Sequence, residues 1–159
     1  MIAVQITNHF ETLPADAPKL KKLVRTICQR FGVARARISI GIVDDAVFGV
    51  LNKRFLNHEG TTDSLSFDLS DASEPEELKV FDLIVNGELA VREAARRGHE
   101  AQAELALYVA HGLLHHLGFD DATAAQARAM HRTEDEILHH LGYGLVYNNK
   151  GPHEGYDQS

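Results

Sequence analysis

His111 and His115 stand four residues apart in the run Ala110-His111-Gly112-Leu113-Leu114-His115-His116-Leu117-Gly118-Phe119-Asp120-Asp121. In a helix turning roughly 100° per residue, the two imidazoles leave one face about 40° apart and a turn from each other. Imidazoles so placed can bind one metal ion from the side. Gly118 stops the helix, because glycine accepts the left-handed conformation that reverses a chain at a helix C-terminus. The reversal can return Asp120 or Asp121 towards the histidines. Two imidazoles and one carboxylate around an open position form the ligand set of a catalytic rather than a structural zinc.

Asp121 occupies the tenth position after His111, where zinc hydrolases of the H-E-x-x-H-x-x-G-x-x-H type place a histidine. Asp120 competes for the role; its alternative is to accept a hydrogen bond from a ligand imidazole and fix its tautomer. His116 points about 100° away from His115 and reads as a neighbour, not a ligand. A metalloprotease helix carries Glu directly after its first histidine, as general base. Gly112 stands there, so a metallopeptidase is not expected.

Other residues can assist. Glu104 lies two turns before His111, about 20° off its direction, and can support a ligand or shuttle a proton. Otherwise it is a helix-surface acid or a partner of the helix dipole. Glu134 can approach the site from the last helix, or pair with Arg128 or another base. Ser66 and Phe67 can line a substrate groove, or simply pack. His131, His139 and His140 lie on a charge-rich helix, where solvent-facing positions explain them.

Positioning these groups requires a scaffold, and the patterning supplies one. Ile2 to Ile6 and Ile38 to Val43 read as strands; Ser64 to Leu69 alternates as a half-buried strand does, and Val80 to Val85 as a central one. Leu20, Leu23, Val24, Ile27 and Phe31 fall at helical spacing, with a stop at Gly32. Asp44-Asp45 can cap a helix carrying Val47, Phe48, Val50, Leu51 and Phe55. Asn57 to Thr62 is a polar loop, and Ser70 to Glu77 an acidic hairpin loop. Asn86-Gly87 opens a helix from Glu88 to Arg97. The histidine helix runs from about Glu100 to Leu117, and a last helix from Thr123 to Leu141 turns Ala127, Met130, Ile137, Leu138 and Leu141 inward. The expected fold is α+β: a single domain with about four strands in a mixed sheet, about five helices and the metal-binding histidine helix in the core. Residues 1–147 form the domain, and 148–159 a loose tail.

A chain of 159 residues with 44% hydrophobic and 25% charged residues fits one ordinary globular domain. One cysteine, Cys28, excludes an internal disulfide and a thiolate-rich metal site; it reads as a small buried apolar residue. No export signal and no membrane-length apolar run is visible, so the expected location is the cytoplasm, with no membrane partner. A net charge of −7 argues mildly against a general nucleic-acid coat. Yet seven basic residues and no acid lie between Lys19 and Arg37. That stripe can meet phosphates, with Lys22 and Arg25 as candidate substrate contacts, or be a solvated face offset by acids elsewhere.

His111, Gly112, Leu114, His115, Gly118, Phe119 (for Tyr) and Asp120 match the pattern H-G-x-L-H-L-x-G-Y-D-H. Leu51-Asn52 with Phe55, and Thr62-Asp63-Ser64-Leu65-Ser66-Phe67, follow L-N-x-x-Y-R and T-D-V-L-S-F. Asp82 with Ile84-Val85 stands at a G-D-I strand; Glu104-Leu105, Met130 and Glu134 also fall in place. The chain thus resembles the YbeY family of bacterial metal-dependent endoribonucleases, linked to ribosomal RNA maturation and ribosome quality control. The resemblance implies a zinc-dependent endoribonuclease acting on single-stranded RNA in 16S rRNA maturation, with His111, His115 and Asp121 as metal ligands. Help at catalysis falls to Glu104, Asp120 and Glu134, and a small-subunit ribosomal protein is an implied partner. Two positions depart from the pattern. Asp121 replaces the third histidine, adding negative charge that weakens Lewis acidity. Leu56 replaces an arginine expected to contact phosphate. The alternative reading is a catalytically weakened, metal-stabilised ribosome-associated binding factor.

Overall fold

Alternating apolar residues build four strands: β1 (Ile2–Asn8), β2 (Ala36–Val43), β3 (Ser64–Asp68) and β4 (Lys79–Asn86). The computed structural model describes residues 1–55, 63–71 and 78–144. β1, β2 and β4 run parallel, and β3 lies antiparallel against β4, in the order β1-β2-β4-β3. β4 is therefore interior, as its apolar run requires.

Five helices complete the described chain: α1 (Ala17–Arg30), α2 (Asp45–Phe55), α3 (Gly87–Arg97), α4 (Ala101–His116) and α5 (Ala124–His140). Parallel neighbours need a crossover, and α1 supplies it between β1 and β2. Asp16 starts α1 by accepting a hydrogen bond from the Lys19 N–H at 3.1 Å, and Leu20, Leu23, Val24, Ile27 and Cys28 form its buried stripe. Asn86 caps α3 through the Leu89 N–H at 3.0 Å, and Gly98 ends it at φ +80°.

The two faces of the sheet carry different loads. Ile38, Ile40, Ile42, Phe81, Leu83 and Val85 meet α1 and α4 in the main core. On the opposite face Val43, Leu65, Phe67 and Ile84 pack with Phe48 and Leu51 of α2. α4 is buried at every residue from Ala103 to Leu114, the fate of a helix apolar on all sides. Gly112 lets it lie so close to the sheet. A Cβ there would stand 3.1 Å from Leu83 Cδ2 and 3.7 Å from Ser64 Oγ.

The architecture is the expected α+β domain, with a four-stranded mixed sheet, five helices and the histidine helix at its centre. Some local expectations change. Val47, Val50 and Phe55 lie largely exposed on α2, because that helix has the sheet on one side and solvent on the other. The basic stripe does not form one surface. Lys22 and Arg25 are exposed on α1, Arg30 pairs with Glu136 and Lys19 sits over the Tyr143 ring; Arg37 lies on the sheet face away from α1. Cys28 is buried, and burial pushes its thiol up to about 11. The loop Asn57 to Thr62, most of Ser70 to Glu77 and the tail from residue 148 fall outside the described residues.

Candidate metal centre

α4 presents His111 and His115 on one face, their ring centroids 4.9 Å apart and the planes at 85°. Beyond His116 the chain reverses through Gly118 at φ +105°, while the Phe119 N–H donates back to the Leu114 carbonyl at 3.1 Å. Phe119 packs edge-on against Phe31, centroids 5.4 Å apart, which pins the turn to α1. Asp120 then accepts the Asp121 N–H at 2.8 Å. The outcome places Asp121 Oδ2 4.0 Å from His115 Nε2. His111, His115 and Asp121 offer ligand atoms all within 4.8 Å of one another. Tetrahedral zinc with bonds of about 2.1 Å has ligand–ligand edges of about 3.4 Å. His115 and Asp121 are partly exposed, and the chemistry and proximity of the three donors fit a divalent ion.

Behind the ligands stands α5. Thr123 and Gln126 form a reciprocal capping box that starts it, and its buried stripe Met130, Glu134, Ile137 and Leu138 folds it back on α4. Glu134, with no exposed surface, accepts from His111 Nδ1 at 2.6 Å and from His131 Nδ1 at 2.8 Å. Burial pushes the Glu134 carboxyl up, but the hydrogen bonds from the two imidazoles outweigh it and hold the group below its ordinary value. Burial likewise pushes His111 down, yet the Glu134 carboxylate prevails and raises it to about 9. A ligating imidazole commonly donates its second N–H to a carboxylate, which fixes the tautomer and strengthens the ligand. With Nδ1 engaged by Glu134, Nε2 of His111 is the nitrogen left for a metal.

A cavity of about 370 Å³ adjoins this cluster. His111, His131 and Glu134 line one part, and Arg96, Arg97 and Glu93 of α3 another.

The remaining candidates are placed as follows. Glu104 is buried but directed elsewhere: its oxygens take Arg97 Nη1 at 3.3 and 3.4 Å and His99 Nε2 at 2.5 Å. It is not a surface acid, and it lines the same cavity as His111. Asp120 braces the turn through the Asp121 N–H. His116 turns away and stacks on Phe81 at 4.7 Å, where burial lowers its pKa. Ser66 lies opposite Leu83 in the sheet, while Phe67 packs on Phe55 across the other face, centroids 5.5 Å apart. Neither lines the cavity, and neither do Lys22 and Arg25. Leu56 lies outside the described residues. His139 and His140 are exposed as expected, but His131 is not solvent-facing: its side chain is 14% exposed and tied to Glu134. The signal available for it was its spacing, three residues before a carboxylate that sits within an apolar stripe.

Comparison with known proteins bears on all of this. Residues 5–142 match the family described as Endoribonuclease YbeY. Relatives of that name include one from Thermobifida fusca, 35% identical over 146 residues, spanning 86% of this chain and 92% of the relative. Another, from Chromobacterium violaceum, is 36% identical over 153 residues, spanning 94% and 88%. The solution structure of a Thermotoga maritima protein overlays with a TM-score of 0.56, covering 89% of each chain at 17% identity, and so shares the fold. With the motif residues, the match over nearly the whole domain and relatives above 30% identity in agreement, this chain belongs to the endoribonuclease YbeY family.

Proposed function

We propose that this protein is a zinc-dependent endoribonuclease that cleaves single-stranded RNA in the cytoplasm during 16S rRNA maturation and ribosome quality control, working beside a small-subunit ribosomal protein. The observation that carries the reading is the convergence of His111, His115 and Asp121, with Glu134 bracing His111 from behind. Family membership supplies the class of reaction. No helix among the described residues is long and apolar enough to cross a membrane.

His111, His115 and Asp121 would hold the ion, which supplies Lewis acidity at a phosphodiester and activates water at neutral pH. Glu134 keeps the His111 Nδ1 proton in place and so aims Nε2 at the ion. Asp120 fixes the turn on which Asp121 is carried. Gly112 stands where a metallopeptidase carries its general base, and a Cβ there would already meet Leu83 Cδ2 at 3.1 Å, which makes peptide hydrolysis the weaker reading.

Elemental analysis of the purified protein should find one zinc, and incubation with single-stranded RNA should give internal cleavage. His115→Ala should lose both. Zinc-loaded protein that leaves ribosomal RNA fragments intact would overturn the assignment.

A further inference from the structure

We propose that the cavity between α3 and the metal centre receives one unstacked nucleobase next to the cleaved phosphodiester, and selects guanine through the carboxylate of Glu93. This deepens the endoribonuclease reading and rests on it for the identity of the polymer.

The volume comes first. About 370 Å³ lies within the range of pockets that take small organic groups. The cavity shares His111, His131 and Glu134 with the metal centre, so its occupant is a near neighbour of the reacting phosphate.

Charge decides what kind of group enters. Arg96 and Arg97 line the cavity, but each is matched by an acid. Arg96 forks onto Glu93, with Nη2 2.6 Å from Oε1 and Nε 3.3 Å from Oε2; Arg97 meets Glu104 at 3.3 Å. Asp63 and Glu134 add two further carboxylates to the lining. Four acids against two guanidiniums leave no cationic excess for a phosphate. A neutral planar group whose edge donates hydrogen bonds suits such a wall, and Leu89, Leu107 and Tyr108 provide apolar surface for its faces. Single-stranded RNA is read in this manner, by splaying bases into pockets and bonding their Watson–Crick edges.

Solvent access favours Glu93, whose oxygens are held by an exposed guanidinium, over Asp63, which takes the Ser64 hydroxyl at 3.4 Å, and over the other two acids. The Glu134 oxygens are taken by His111 and His131, and those of Glu104 by Arg97 and His99. Glu93 is 29% exposed, and its partner Arg96 is 54% exposed and able to swing into solvent. Guanine offers N1–H and the N2 amino group side by side, two donors for two carboxylate oxygens. Uracil presents one N–H between two carbonyls, which a carboxylate repels.

The test uses the full-length, zinc-loaded protein in two arms. In the first, RNA oligonucleotides differing only in the base on either side of the cut are compared. Guanine should be preferred over uracil about tenfold at one of these positions, and Glu93→Gln should cut that ratio to about threefold or less. In the second, guanosine and uridine monophosphates are titrated while amide resonances are followed. The guanosine nucleotide should shift signals of α3 and Tyr108, and the uridine nucleotide should not. Absence of base preference, a preference that survives Glu93→Gln, or equal shifts from both nucleotides would overturn the proposal. If no oligonucleotide is cut, the nuclease reading fails and the titration alone decides. A guanosine-specific shift at α3 that Glu93→Gln abolishes then upholds the base site.

Discussion

Replacing Glu134 by glutamine keeps its shape and removes its charge. The carboxylate is fully buried and accepts from two imidazoles at once. A glutamine can accept from only one. The metal-ligating form of His111 must carry its proton on Nδ1, so Oε1 of the glutamine will serve His111. The amide NH₂ then faces His131, whose proton must move to Nε2. Losing such a carboxylate behind a ligand costs about 10- to 100-fold in metal affinity.

A second effect opposes the first. In the metal-free protein Glu134 raises His111 from its ordinary 6.5 to about 9. A group whose pKa rises on folding contributes stability that is complete below its unfolded value and is lost as pH climbs through the folded one. Here that window runs from 6.5 to about 9. Zinc must displace the Nε2 proton across it, so wild-type affinity should climb about tenfold per pH unit on account of this group. In Glu134→Gln the burial that lowers His111 persists while the raising charge is gone, so the climb should vanish above about pH 6.5. At pH 7 the variant escapes about 100-fold of proton competition, which matches or exceeds its 10- to 100-fold loss of support. It should therefore bind zinc within about tenfold of wild type at pH 7, and about 10- to 100-fold more weakly at pH 9. Competition against a chromophoric chelator between pH 7 and 9.5 measures both slopes, contributions from the other ligands being common to the two proteins. Parallel lines would refute the coupling of His111 to Glu134.

Asp121→His replaces an anionic ligand by a neutral one, which should make activated water more acidic. The pH–rate curve for RNA cleavage should then reach its plateau at lower pH, and an unmoved curve would remove Asp121 from the ligand set. Gly87→Ala puts a Cβ 2.8 Å from Ile42 Cγ2 and 3.1 Å from Phe10 Cδ2. Overpacking of that kind costs about 1–3 kcal/mol, so the urea midpoint should fall, and an unchanged midpoint would show that the neighbours yield freely. Cys28, buried and with its thiol raised to about 11, should resist a disulfide reagent at pH 8 in the native protein and react at once in denaturant. Rapid native labelling would contradict its place in the core.

The elements were readable because their signals are local. The Gly118 reversal and the Asp44-to-Phe55 amphipathic run each state their structure within a dozen residues. The i, i+4 histidines were readable for the same reason: one helix fixes their relation before any tertiary contact forms. Lys22, Arg25, Ser66 and Phe67 were candidates by residue type, but the side of the sheet or helix on which each falls is set by packing partners far away in sequence. Glu104 is the sharper case. Seven residues of ideal helix return it to nearly the direction of His111 but carry it about 10 Å along the axis, into reach of Arg97 and His99 at the α3–α4 junction.

Glu134 and His131 show where a local signal was present but needed one more physical step. Met130, Ile137 and Leu138 mark the buried stripe of α5, and Glu134 lies within it. A carboxylate forced into a core must find hydrogen-bonding partners, because leaving it ionised and alone costs far more than the fold can spare. Arg128 is exposed near the start of α5, whereas α4 brings His111 directly over the stripe. One buried acid accordingly has one buried imidazole as its counterpart, and His131, three residues back on the same helix, fills the oxygen that His111 leaves over. The requirement that satisfies Glu134 is the same one that turns His111 Nε2 outward to where a metal ion can reach it, so the packing of α5 and the chemistry of α4 are set by a single carboxylate.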